Sequence, residues 1–84
     1  MIVLPMNDGE RNVVLTWKPI IRKGKTPTAV VTCINNHSRV IADHKISNHG
    51  EVSPSVVCTA QGCTWHEYIR LEGWQRILVD KEQK

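Results

Sequence analysis

The three cysteines and four histidines of the chain all lie between residues 33 and 66. Cys33 and His37 form one close pair with three residues between them, and Cys58 and Cys63 form a second pair with four. A tetrahedral structural zinc ion is bound by four nitrogen and sulfur ligands, which are commonly supplied as two local pairs. The spacing therefore predicts a structural Zn²⁺ site made by Cys33, His37, Cys58 and Cys63.

His66 leaves the ligand set open, because it lies only three residues after Cys63. It is an alternative ligand in place of Cys58 or His37, or a neighbour that supports the ligands without binding the metal. A tight turn inside each pair would aim both side chains at one point, and the turn-tolerant dipeptides are Asn35-Asn36 and Gln61-Gly62. Without a metal, the same pattern would describe three buried free cysteines with histidines at the surface.

A second kind of chemistry is suggested by Asp43 followed directly by His44. The stretch around them is similar to the β-hairpin of HNH nucleases, in which a histidine activates water and a divalent metal holds the scissile phosphate. No helix after Cys63 carries the second metal-binding histidine of that motif. Because this part of the motif is missing, a metal-dependent nuclease centred on Asp43-His44 is kept only as the alternative. We expect no catalytic residues, because four protein ligands would leave the zinc ion no open coordination position.

The formal net charge is +3, which permits contact with nucleic acid or with acidic proteins but does not demand it. The candidate nucleic-acid contacts are Lys18, Arg22, Lys23, Lys25 and Arg70. Arg70 lies close in sequence to three aromatic side chains, Trp65, Tyr68 and Trp74, which either form a stacking platform for single-stranded nucleic acid or belong to the core. With no phenylalanine in the chain, we expect them to belong to the core.

The elements that must position these side chains are predicted to be short strands separated by turns. The strand candidates are residues 12–17, 28–33, 38–46, 51–58 and 65–71. Lys18-Pro19 is expected to end the first strand, and Pro54 predicts an edge or a bulge because proline donates no hydrogen bond. Ser47 to Gly50 reads as a turn. Gly73 argues against a helix over residues 65–79.

A chain of 84 residues allows one domain, and domains this short often need a disulfide, a metal or a partner for stability. We expect an N-terminal strand and basic loop over residues 1–27, a zinc-ribbon-like core over 28–79 and a frayed tail over 80–84. The predicted fold is a small all-β, or β-dominated, zinc-ribbon-type domain whose antiparallel hairpins are held by the metal site.

Two features of the sequence indicate the cellular compartment: the odd number of cysteines and the composition of the N-terminal segment. Three cysteines fit a disulfide framework poorly and fit metal binding in a reducing compartment better. The first residues lack the basic region of a secretory signal, and no stretch approaches about 18 consecutive apolar residues. We therefore expect a cytoplasmic protein with no membrane association.

From Cys33 onward the chain resembles a family of small, uncharacterised zinc-ribbon-like proteins of phages and prophages. The residues that carry the resemblance are Cys33 to His37, Asp43 to Ile46, Gly50 to Ser55, Cys58, Cys63 to His66 and Ile69-Arg70. The Val-Ser-Pro-Ser segment, the Cys-x2-His pair and the Ile-Arg pair are also similar to a family of unknown function found beside bacterial ubiquitin-like conjugation genes. In that second family the first ligand pair tends to be Cys-x-Cys and the Cys-His pair contributes to the metal, whereas this chain has Cys-x3-His and an additional Cys58.

The resemblance implies a metal-held β-hairpin fold and a phage or mobile-element origin, with the bacterial host cell as the location and virion association as a further option. It implies no established activity. The functional prediction is a non-enzymatic zinc-binding module that binds a protein or a nucleic acid and takes no small-molecule substrate. Such a module would be regulatory, host-interfering or particle-associated.

Overall fold

Short strands account for most of the regular structure in the computed structural model, which describes residues 1–7, 9 and 11–77. The strands are β1 (Ile2–Leu4), β2 (Thr16–Ile20), β3 (Thr28–Thr32), β4 (Ser38–Val40), β5 (Lys45–Ile46), β6 (Val52–Ser53), β7 (Val56–Val57), β8 (His66–Glu67) and β9 (Ile69–Leu71). A helical turn follows at residues 74–77. The predicted frayed tail over residues 80–84 lies outside the described residues.

Three antiparallel units and one parallel pair connect the strands. The largest unit is the three-stranded sheet β2-β3-β4, and two smaller hairpins pair β5 with β6 and β7 with β8. β1 pairs with β9 in parallel, with Ile2 opposite Ile69 and Leu4 opposite Leu71, which joins the two ends of the described chain. The prediction of a small β-dominated fold with antiparallel hairpins is confirmed.

One apolar cluster packs together residues from six of the strands and from the helical turn. Its buried members are Leu4, Trp17, Ala29, Val31, Ile41, Val52, Val56, Ile69, Leu71 and Trp74. Trp17 is fully buried, its ring centroid is 5.8 Å from that of Trp74, and its indole N–H donates to the carbonyl oxygen of Glu72 at 3.0 Å. The chain has no phenylalanine, so these two tryptophans supply the large aromatic side chains of the core.

The expectation that Lys18-Pro19 ends the first strand is wrong. β2 begins only at Thr16 and runs through Lys18 and Pro19 to Ile20, with Pro19 opposite Ala29. The strand tolerates proline because β2 lies at the edge of its sheet, where one side of the backbone needs no partner. The segment before it is not a strand, since Leu15 has φ of 57° and turns the chain into β2.

Two further predicted strands are each divided into two. The segment 38–46 forms β4 and β5 with a turn between them, in which the N–H of His44 donates to the carbonyl oxygen of Ile41 at 3.0 Å. The segment 51–58 forms β6 and β7, and the break falls at the cis peptide bond between Ser53 and Pro54. Pro54 therefore lies at a break between two strands, where a single strand with an edge or a bulge was predicted.

The turn predicted at residues 47–50 is present and packs closely against β9. The N–H of Gly50 donates to Ser47 at 2.9 Å, and the carbonyl oxygen of Gly50 accepts a hydrogen bond from the N–H of Leu71 at 2.8 Å. Gly50 has φ of 89°, and a side chain at this position would overlap the carbonyl oxygen of Leu71. The approach of the turn to β9 therefore requires glycine.

The strand predicted over residues 65–71 is also divided, because β8 pairs with β7 whereas β9 pairs with β1. Ile69 and Leu71 are buried while Arg70 is exposed, as the alternation predicts. The expectation of no helix over residues 65–79 is wrong for 74–77, because Gly73 lies before the helical turn and not inside it. No helix among the described residues has the length and apolar character that a bilayer span requires.

Candidate metal centre

The first ligand pair lies in the turn between β3 and β4. Cys33 directly follows β3 and His37 directly precedes β4, and the N–H of Cys33 donates to the carbonyl oxygen of His37 at 2.9 Å. The N–H of Asn36 closes the turn onto the carbonyl oxygen of Cys33 at 3.0 Å, with Asn36 at φ of 65°. Asparagine tolerates this left-handed conformation better than most residues. The turn places the Cys33 thiol and the His37 ring side by side.

The second pair lies in the loop between β7 and β8. Cys58 directly follows β7, and its N–H donates to the carbonyl oxygen of Trp65 at 3.0 Å, which closes the loop at its base. The N–H of Cys63 donates to the carbonyl oxygen of Ala60 at 3.0 Å, and Gly62 takes φ of 81° within this inner turn. The turn brings the Cys63 thiol back towards that of Cys58.

The two turns face each other, so that all four donor atoms lie within 4.8 Å of one another. The Nδ1 atom of His37 is 3.6 Å from the sulfur of Cys33 and 3.6 Å from the sulfur of Cys58. The sulfurs of Cys33 and Cys63 are 3.8 Å apart, too far for a disulfide, and all three cysteines are free. The four side chains are close enough to bind one metal ion.

Asn35 supplies hydrogen bonds to two of the sulfurs. Its backbone N–H donates to Cys33 Sγ at 3.3 Å, and its side-chain amide donates to Cys63 Sγ at 3.4 Å. The hydrogen bond from the Asn35 side chain, together with one from the backbone of Trp65, lowers the pKa of Cys63 from 9.0 to about 6. Cys63 is therefore favoured as a thiolate near neutral pH, and the thiolate is the form that binds metals.

The pKa of Cys58 is shifted in the opposite direction, upwards. A hydrogen bond from the backbone of Ala60 lowers the pKa of Cys58, but burial and the hydrogen bonds with Cys63 and Cys33 outweigh it and raise the pKa above 9.0. Two thiolates at this distance disfavour one another, because like charges repel. A bound cation would remove this conflict and leave all three cysteines as thiolates.

His66 is not part of the cluster. Its Nε2 atom makes a short hydrogen bond with the hydroxyl of Ser55, and its side chain is exposed. The structure therefore brings Cys33, His37, Cys58 and Cys63 together without His66, which follows Cys63 on the strand β8. The imidazole of His66 is instead engaged with Ser55, between β6 and β7.

His44 is held by acceptors on both sides of its ring. Its Nδ1 atom lies 2.7 Å from a carboxylate oxygen of Asp43, and its Nε2 atom lies 3.2 Å from the carbonyl oxygen of Ser55. Arg39 donates to the same carboxylate at 3.1 Å, and the hydrogen bond from His44 lowers the pKa of Asp43 below 3.8. The side chain of His44 is only 6% exposed, so both ring nitrogens face protein groups and little of the ring is open to solvent.

The basic residues singled out in the sequence are distributed over one loop and two strands. Arg22, Lys23 and Lys25 are exposed on the loop between β2 and β3, whereas Lys18 is half-buried within β2. Arg70 is exposed on β9. Of the three aromatic residues near Arg70, Trp74 is buried in the core and Trp65 is half-buried, but Tyr68 is 61% exposed, so the expectation that all three belong to the core is wrong for Tyr68.

Comparison of the chain with protein-family models, curated proteins and solved structures gives no match. The resemblance to phage and prophage proteins therefore stays a prediction, and the interpretation of the cluster depends on its own geometry. The sequence indicates only a turn at Asn35, whereas the structure shows that Asn35 donates hydrogen bonds to two sulfurs of the cluster. Its position inside a Cys-x3-His spacing was the available signal, since turns between metal ligands commonly point N–H groups at sulfur.

Proposed function

We propose that this chain is a non-enzymatic zinc-binding module of the zinc-ribbon type, in which Cys33, His37, Cys58 and Cys63 hold one structural Zn²⁺ ion. The observation that carries the proposal is the convergence of four donor atoms within 4.8 Å from two turns. The module acts by binding a macromolecular partner, either a protein or a nucleic acid. The metal stabilises the fold that presents the contact surface.

The donor set and the distances support zinc over harder cations. Bonds of about 2.3 Å to sulfur and about 2.0–2.1 Å to nitrogen, at tetrahedral angles, separate neighbouring ligand atoms by about 3.5–3.8 Å. The observed separations of 3.6, 3.6 and 3.8 Å agree with these values. Magnesium and calcium prefer oxygen ligands, and the cluster offers only sulfur and nitrogen.

A structural role for the metal is supported by where its ligands come from. Cys33 and His37 belong to the turn of the β2-β3-β4 sheet, whereas Cys58 and Cys63 belong to the separate β7-β8 hairpin. The metal therefore joins two units that no strand pairing connects among the described residues. Four protein ligands also complete a tetrahedral shell, which leaves no position for water or substrate.

The nuclease alternative is tested by incubating the protein with plasmid and single-stranded DNA in Mg²⁺ or Mn²⁺. We expect no metal-dependent cleavage, because both ring nitrogens of His44 are already engaged. A general base contributes about 10²–10⁴ in rate, so activity from this residue would be easy to detect. Cleavage by wild-type protein that is lost in His44→Ala and retained in His49→Ala would overturn the proposal of a non-enzymatic module.

A further inference from the structure

A cleft of about 630 Å³ lies away from the cysteine cluster, between the β2–β3 loop and the start of β5. Its lining includes three basic residues, Arg22 and Lys25 from the loop and Lys45 from β5. None of the described residues that line it is acidic. We call this feature the basic cleft, defined by Arg22, Lys25, Thr28, Lys45, Ile46 and Trp74.

The loop that carries Arg22 and Lys25 has a defined conformation. The N–H of Lys25 donates to the carbonyl oxygen of Arg22 at 3.1 Å, which closes a tight turn between the paired ends of β2 and β3. Lys23 lies in the same turn and is exposed, but it does not line the basic cleft. Three basic side chains from two separate elements thus converge on one space, while a fourth beside them points elsewhere.

Two buried polar atoms without partners belong to residues of the same cleft. The hydroxyl of Thr28 and the indole N–H of Trp74 make no hydrogen bond with the part of the chain that the structure describes, although the two residues are only 7% and 3% exposed. Buried polar groups in native proteins are nearly always hydrogen-bonded, because leaving one unpaired costs free energy. The indole N–H is a donor only, so the missing partner of Trp74 is a hydrogen-bond acceptor.

The ligand chemistry follows from these groups. Cationic side chains together with two unpaired donors fit an anion whose oxygens only accept hydrogen bonds, and a phosphate group has this character. The cleft is larger than one phosphate, and it includes the apolar surfaces of Pro27 and Ile46, against which a nucleobase can lie. We propose that the basic cleft binds a phosphate-bearing nucleotide unit of a single-stranded nucleic acid.

This inference deepens the proposed function by naming the partner class, and it uses residues that are not metal ligands. The probe is a fluorescein-labelled single-stranded DNA of about 12 nucleotides, followed by anisotropy at about 50 mM salt. The cleft variant is Arg22→Gln/Lys45→Gln. The matched control is Arg11→Gln/Lys23→Gln, which removes the same charge from exposed residues that do not line the cleft.

We expect saturable binding that the cleft variant weakens by about tenfold or more, while the control variant weakens it by no more than about twofold. Two lost phosphate contacts should also reduce the slope of log K against log salt concentration by about 1.4. No binding, or equal weakening by the two variants, would overturn the inference. An acidic peptide that competes as well as the DNA through the same residues would also overturn it.

Thr28→Val separates ligand contact from fold stability. Valine matches the shape of threonine and removes a hydroxyl that has no partner among residues 1–7, 9 and 11–77, so the melting temperature should not fall. Binding of the DNA should weaken by about threefold to tenfold, the effect of losing one hydrogen bond. Unchanged affinity in this variant would contradict a role for Thr28 in the site.

Two further arms identify the source of the phosphate and separate this inference from the proposed function. Nucleoside monophosphate and inorganic phosphate are used as competitors, and competition by either one that the cleft variant abolishes would assign the site to a free phosphate compound. Competition only by oligonucleotide would assign it to a strand. Zinc content is measured for each variant. A folded, zinc-loaded protein that binds none of these probes would overturn the nucleic-acid site and leave the proposed zinc-binding module standing.

Discussion

Replacing Cys33 with serine should abolish the folded state of this protein. The substitution keeps the size of the side chain but removes a thiolate from the centre of the four-ligand cluster. Structural zinc contributes about 10–16 kcal/mol of apparent binding free energy in small domains, whereas the net stability of a domain is about 5–15 kcal/mol. Losing the site therefore removes as much free energy as the entire fold possesses. The measurement is far-UV and near-UV circular dichroism with thermal melting, in the presence of excess zinc.

Thr59→Ser is the matched control for the Cys33 variant. Thr59 is an exposed residue of the loop between Cys58 and Cys63, and it contributes no donor atom to the cluster. This variant should melt within a few degrees of wild type, because surface substitutions usually change stability by no more than about 0.5 kcal/mol. A Cys33→Ser protein that melts cooperatively at the wild-type temperature would contradict a stabilising role for the metal centre.

His37→Ala should lose zinc affinity by more than about 100-fold, while His66→Ala should bind zinc as wild type does. His37 places Nδ1 at 3.6 Å from two sulfurs, whereas His66 hydrogen-bonds to Ser55 outside the cluster. Loss of a group that only supports a ligand costs about 10–100-fold, so loss of a ligand should exceed that range. The measurement is competition for zinc against a chromophoric chelator.

The reverse outcome has a definite meaning. If His66→Ala lost zinc and His37→Ala kept it, the ligand set would be Cys33, Cys58, Cys63 and His66, and the turn between β3 and β4 would supply one ligand in place of two. His49→Ala serves as a further control, because His49 lies in the turn after β5 and contacts Gln75 at 3.2 Å, away from the sulfurs. This variant should keep its zinc in either case.

The convergence of the cysteines with His37 could be predicted from the sequence because the ligands of each pair lie close together in the chain. A Cys-x3-His pair and a Cys-x4-Cys pair each need only a short turn to aim two side chains at one point. That the two turns face each other depends on the pairing of separate hairpins, and the spacing alone left His66 as an alternative. The structure separates them because His66 lies on β8, past the end of the loop that carries Cys63.

The sequence predicts the fold less well where tertiary contacts override the local strand and turn preferences of the residues. Pro19 lies inside a strand because β2 is an edge, and Leu15 turns the chain at φ of 57° despite belonging to an apolar, strand-like segment. The parallel pairing of β1 with β9 joins segments more than sixty residues apart and has no local signal. The basic cleft could not be predicted from the sequence either, because Lys45 lies about twenty residues from Arg22 and Lys25 and only the fold brings the three to one cleft.

The measurement that tests the central claim most directly is the zinc content of the purified protein, by native mass spectrometry and elemental analysis. The geometry of Cys33, His37, Cys58 and Cys63 predicts one zinc ion per chain, and removal of that ion by a strong chelator should unfold the protein until zinc is restored. A protein that is purified without metal, does not take up added zinc and melts at the same temperature with and without chelator would contradict the account.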